Sequence, residues 1–153
     1  MVRRTGARVK KLAIVALVVL ASCRGRPSGT GPVRAGGAPT PKEAIERFVS
    51  TAKAQDYDGM ALIFGSAAGP ARATIPKAAL EKRQFIMMRC LRHDRIQIGS
   101  ETSTGSGKRV MSGQLWFKDL TATTDFTLVQ GPNERWYVEQ FGMDPLQPIC
   151  TAL

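Results

Sequence analysis

Residues 110–141, VMSGQLWFKDLTATTDFTLVQGPNERWYVEQF, decide the fold class. Three extended runs are legible in them, 110–118, 122–130 and 136–141, each rich in aromatic or β-branched residues. In the middle run Phe126 and Leu128 alternate with Asp125, Thr127 and Val129, which is the period of a half-buried strand. Gly131-Pro132-Asn133-Glu134 reads as the hairpin turn that follows it. One step upstream, Ile96 and Ile98 alternate with Gln97, and the turn-rich residues 100–107 separate them from the first run. The C-terminal half thus predicts an antiparallel meander.

Further upstream the period is helical. Thr40 is placed to cap, Pro41 suits the first helical position, and Glu43 completes a Thr-x-x-Glu capping box. Ile45, Phe48, Val49 and Ala52 then form one apolar stripe, with Lys42, Glu46, Arg47 and Lys53 on the remaining surface. Asp56-Tyr57-Asp58 interrupts this pattern, and Asp58 is expected to cap a short second helix through Met60, Leu62, Ile63 and Phe64 that Gly65 stops. Residues 65–70 read as a loop. A third helix is expected over 76–91, with Leu80, Met87, Met88 and Leu91 on one side and Glu81, Lys82 and Arg83 on the other. Helices followed by a meander predict an α+β domain over residues 41–153, its N-terminal helices packed on one face of a curved antiparallel sheet.

Two segments carry a family likeness. Pro41-Lys42-Glu43-Ala44-Ile45 leading to Phe48, then Asp56-Tyr57-Asp58 leading to Leu62 and Phe64, resemble the opening of the nuclear-transport-factor-two-like, cystatin-related cone fold. Trp136 just after a Gly-Pro-Asn turn is similar to its closing hairpin. The likeness spans most of residues 40–142. It implies a bent sheet wrapped round the long helix and a conical cavity, in a superfamily of ketosteroid-isomerase-like enzymes, polyketide cyclases, transport adaptors and small lipoproteins. A fold so widely reused does not choose a function.

The first 23 residues resemble the precursors cut by lipoprotein signal peptidase. Arg3, Arg4, Arg8, Lys10 and Lys11 precede an uncharged apolar run, residues 12–21, that ends in the lipobox Leu20-Ala21-Ser22-Cys23. The resemblance implies a signal peptide over residues 1–22 and an acylated Cys23 as the mature N-terminus, anchored to the cell-envelope membrane. A permanent transmembrane helix is disfavoured, since ten apolar residues make about 15 Å of helix against a hydrocarbon core of about 30 Å. Ordinary signal peptidase cleavage is the competing reading and would leave Cys23 as a free thiol. Residues 24–40, RGRPSGTGPVRAGGAPT, follow as a flexible Gly- and Pro-rich tether with a mean reach of roughly 20–25 Å.

Charge and cysteines narrow the classes further. The formal charge is +10, yet five of the 22 Lys and Arg lie in the basic head and three are Arg24, Arg26 and Arg34, which leaves fourteen against all twelve Asp and Glu. A nearly balanced domain has little pull on phosphate backbones, so no nucleic-acid partner is expected. With Cys23 assigned to lipid, Cys90 and Cys150 remain as an even pair, which in an oxidising envelope reads as a disulfide. The rival reading makes Cys90 a small buried hydrophobe and Cys150 a free thiol in a frayed tail.

Catalytic chemistry is thinly represented. The weak acid or base candidates are Asp56, explained by a loop or cap; His93, the one histidine, expected in a solvated position at a helix end; and Asp125, which either lines the cavity or faces solvent. Gly105-Ser106-Gly107-Lys108 fails as a phosphate loop because Thr102 stands at the first glycine position and Arg109 follows the lysine. Neither a metal nor a cofactor is expected, given one histidine and no close Cys or His cluster. Met87, Met88, Leu115, Phe117 and Trp136 are the expected lining of an apolar pocket. The expectation is a lipid-anchored binding module for a small apolar ligand or another envelope protein; the alternative is a cofactor-free isomerase or dehydratase. A filled core would point to protein interaction.

Overall fold

The structure, a computed structural model, describes residues 36–153. The expected signal segment, Cys23 and residues 24–35 of the tether lie outside the described residues.

Helix α1 spans Pro41–Lys53 and begins as its sequence dictates. Thr40 Oγ1 accepts from the Glu43 amide at 3.2 Å, supplying one of the partners that a helix N-terminus lacks. The carboxylate of Glu43 turns instead to Arg47, 3.6 Å away, so only one arm of the expected box forms. Ala44, Ile45, Phe48, Val49 and Ala52 are all buried, which is the expected stripe with Ala44 added. The chain reverses at Gln55, whose φ of 53° is left-handed. Helix α2, Tyr57–Ile63, is then capped by Asp56 and not by Asp58: Asp56 Oδ1 accepts from the Gly59 amide at 2.9 Å. That acceptor must stand three residues before the amide it serves, and only Asp56 does.

Residues 65–70 form a two-rung ladder where a loop is expected, β1 (Gly65–Ser66) against β2 (Gly69–Pro70). The approach is so close that a Cβ on Gly65 would lie 2.3 Å from the Gly69 carbonyl oxygen. A single helical turn, α3 (Ala71–Thr74), leads to α4 over Lys77–Cys90, close to the expected third helix.

The sheet is a meander of four antiparallel strands in the order β3 (Arg95–Ser103), β4 (Arg109–Phe117), β5 (Leu120–Gln130), β6 (Trp136–Phe141). Helices therefore pack against one antiparallel sheet, the expected α+β class. Strand β3 runs further than the sequence suggests. After a register shift between Ile98 and Glu101, residues 101–103 pair with Met111, Val110 and Arg109, so the turn is confined to residues 104–108. Side chains of that extension contribute too, since Glu101 meets Arg109 at 2.7 Å.

Between the helices and the sheet lies one continuous apolar core centred on Phe48, Phe126, Leu115, Leu128 and Val138, each fully buried. Phe48 bridges α1 to the sheet through Phe64 and Phe141, at ring separations of 6.0 and 5.8 Å. Gly113 is bare for a reason: a Cβ there would stand 2.5 Å from the Phe126 ring. The fold also begins earlier than residue 41. Ala38 is fully buried and exchanges two backbone hydrogen bonds with Trp136, of 2.9 and 2.8 Å, closing the free edge of β6 with residues expected in the tether.

Candidate functional site

The five residues expected to line an internal pocket belong to this core. Met87, Met88 and Leu115 are buried within it, and Phe117 and Trp136 pack against it half-buried. Met88 and Phe117 also border a surface hollow.

The acid and base candidates have structural posts. Asp56 caps α2. His93 is buried, contrary to the expected solvated helix end, and its Nδ1 lies 2.7 Å from the Leu91 carbonyl oxygen. A carbonyl oxygen only accepts, so that nitrogen carries the proton and the bond fixes the ring. Asp125 faces solvent between Thr124 and Phe126, which point into the core. Thr124, buried and polar, donates its hydroxyl to the Gly142 carbonyl at 2.6 Å. Burial lifts the Tyr137 phenol above its ordinary pKa, and neighbouring Arg135 draws it partly back. Among the described residues no cluster of three or more His, Cys, Asp or Glu is placed to hold a metal ion. No helix among them is long and apolar enough to cross a membrane.

Surface chemistry gathers instead along α4. Residues 85–88, Phe-Ile-Met-Met, are four apolar residues in a row. At ~100° per residue such a run sweeps about 300° round a helix, so it cannot lie on one face. Met87 and Met88 turn inward with Leu80 and Gln84, whereas Phe85 and Ile86 stay 60% and 51% exposed. Gln84 is fully buried and donates from Nε2 to the Tyr57 carbonyl at 2.7 Å. That bond fixes the start of α2 beside α4 and sets Tyr57 next to Phe85.

Two adjoining surface hollows result, sharing Tyr57 and Phe85. One, of about 930 Å³, is a trough with an apolar strip of Ala78, Phe85 and Ile86, flanked by Asp58, Lys77, Glu81 and Lys82. The other, of about 730 Å³, has Met88 and Phe117 together with Lys53, Arg89, Arg92 and His93. Its far wall is the C-terminal segment, held by a disulfide between Cys90 and Cys150 and carrying the short helix α5, Gln147–Thr151. Arg89 Nε donates to the Cys150 carbonyl at 2.6 Å, and Arg92 Nη2 to those of Ile149 and Ala152 at 2.7 and 2.6 Å. The Arg92 guanidinium also lies over the Phe117 ring, 4.8 Å from its centroid. A separate hollow of about 650 Å³ beside Gly37 is bordered by Arg47 and Arg135. There Arg47 is paired with Glu43, and Arg135 donates to the Gly36 and Gly37 carbonyls at 3.2 and 2.9 Å.

Sequence reasoning missed Phe85 and Ile86, although the unbroken run of four apolar residues signals an outward-facing pair. No protein-family model matches this chain, and no curated protein matches it in sequence.

Proposed function

We propose that this chain is a lipid-anchored envelope protein that acts as a non-catalytic binding module through the outer face of α4. The observation that carries the reading is the pair Phe85 and Ile86, exposed beside a trough of about 930 Å³ while the interior is packed with side chains. Large exposed apolar side chains that border a concavity mark binding surfaces. The lipobox at Cys23 supports the anchor, and the Cys90–Cys150 disulfide supports an oxidising compartment. Helices followed by a four-stranded meander support the likeness to the cone fold. The isomerase-type alternative requires a carboxyl group facing an internal cavity, whereas Asp125 faces solvent and Asp56 caps a helix.

The anchor is tested by mass spectrometry of the mature N-terminus. Diacylglyceryl-modified Cys23 is the expected species, because its two acyl chains supply the hold that a ten-residue apolar segment lacks. A Cys23→Ala protein that is still processed and still fully membrane-bound contradicts it.

The groove is tested with an uncharged fluorophore, N-phenyl-1-naphthylamine, titrated into the full chain carrying Cys23→Ser so that no attached acyl chain competes. Saturable binding is expected. Phe85→Ser with Ile86→Ser removes two apolar contacts, each worth roughly 1.5–3 kcal/mol when fully buried, so affinity falls by more than about tenfold. Both side chains are exposed, so the fold survives the change. Undiminished binding by this variant places the site elsewhere.

A further inference from the structure

We infer that the α4 groove takes a single-chain amphiphile with an anionic head, its chain in the trough of Tyr57, Phe85 and Ile86 and its head among Lys53, Arg89 and Arg92. The inference rests on the groove reading and adds the charge and the form of the occupant. No Asp or Glu lies among the residues bordering the cationic hollow. The hydrogen bonds of Arg89 and Arg92 go to backbone carbonyls, which satisfy donors without neutralising charge. Lys53 Nζ likewise donates to a carbonyl, that of Asp94, at 3.2 Å. The carboxylate of Asp94 is turned to the Lys118 amide, 2.8 Å away, and Lys118 Nζ donates to the Leu153 oxygen at the rim. Elsewhere the chain does pair its cations, as in Lys42 with Glu46, Lys77 with Glu81 and Lys108 with Glu139. Three cationic side chains thus converge at one end of the trough, in a hollow that no acidic side chain borders and whose Leu153 oxygen is taken by Lys118.

The arrangement orders the contacts of a ligand. Arg92 is held by the Phe117 ring and three carbonyl oxygens, and Arg89 bonds the Cys150 carbonyl through Nε, both residues bordering the hollow. With Nε and Nη2 of Arg92 given to carbonyls, its Nη1 remains as a single donor, and the planar guanidinium of Arg89 is the one that suits a carboxylate or a phosphate monoester. The trough and the hollow share Tyr57 and Phe85, so one molecule can fill both.

The test uses the full chain with Cys23→Ser and four probes, each below its micelle-forming concentration: decyl phosphate, decanoate, neutral decyl maltoside and inorganic phosphate. Decyl phosphate and decanoate are expected to displace N-phenyl-1-naphthylamine at least tenfold more tightly than decyl maltoside, with an affinity that falls as salt rises. Inorganic phosphate should bind far more weakly than decyl phosphate. Lys53→Glu should remove most of the preference for anions and leave decyl maltoside unchanged, and Phe85→Ser should weaken all three amphiphiles together. Equal binding of neutral and anionic amphiphiles overturns this inference and leaves the groove reading standing. No binding of the uncharged fluorophore overturns the groove reading first. Phosphate binding as tightly as decyl phosphate, or binding only to anionic phospholipid vesicles and to no monomer, also overturns the inference.

Discussion

Opening the Cys90–Cys150 disulfide is expected to lower the stability of the domain by about 4 kcal/mol, because the two cysteines are 60 residues apart and the reduced chain regains the entropy of that loop. For a domain of this size the loss corresponds to a fall of more than about 10 °C in melting temperature. The effect is structural as well as entropic. Arg89 and Arg92 hold α5 through its backbone carbonyls, and a freed tail no longer presents them. Calorimetry with and without reductant, repeated on Cys90→Ala with Cys150→Ala, checks the expectation. Identical melting of the oxidised and reduced protein contradicts it.

Phe126→Ala is expected to be as damaging, at about 3–5 kcal/mol. Phe126 is fully buried, lies 5.9 Å from the Phe141 ring and occupies the space that Gly113 leaves open. It belongs to the one core that helices and sheet share, so a void there is not filled without disturbing that packing. Urea denaturation of the variant measures the loss. A change below about 1 kcal/mol shows an interior loose enough to repack, contrary to the filled core described above.

Much of the scaffold was legible because it depends on local chemistry. The Thr40 cap, the α1 stripe and the three runs of residues 110–141 obey periods and capping rules that act over a few residues, and the structure reproduces them. What stayed hidden depends on distant partners. Residues 101–103 look like a turn by composition, but pairing with β4 holds them extended. Ala38 reads as tether in a Gly- and Pro-rich stretch, yet it pairs with Trp136 along the β6 edge that Phe64 also bridges. His93 beside Arg92 and Asp94 looks solvated, but inside the fold its Nδ1–H donates to the Leu91 carbonyl. The choice between Asp56 and Asp58 as cap turned on where the chain reverses, at Gln55, which propensity does not mark.

The site was least legible of all. The even cysteine pair was readable from its count alone, and the structure joins it. Phe85 and Ile86 required knowing which arc of α4 faces the core, and the cationic hollow joins Lys53, Arg89, Arg92 and Phe117 from three separate elements.

The central claim is that ligands bind outside a filled core, on the outer face of α4. Methyl-resolved NMR of the full chain with Cys23→Ser, recorded as decyl phosphate is added, tests it most directly. Shifts at Ile86 and Met88, with Leu115, Leu128 and Val138 unmoved, are the predicted result. Shifts at Leu115, Leu128 and Val138 with Ile86 unmoved would place the ligand between helices and sheet and contradict the account.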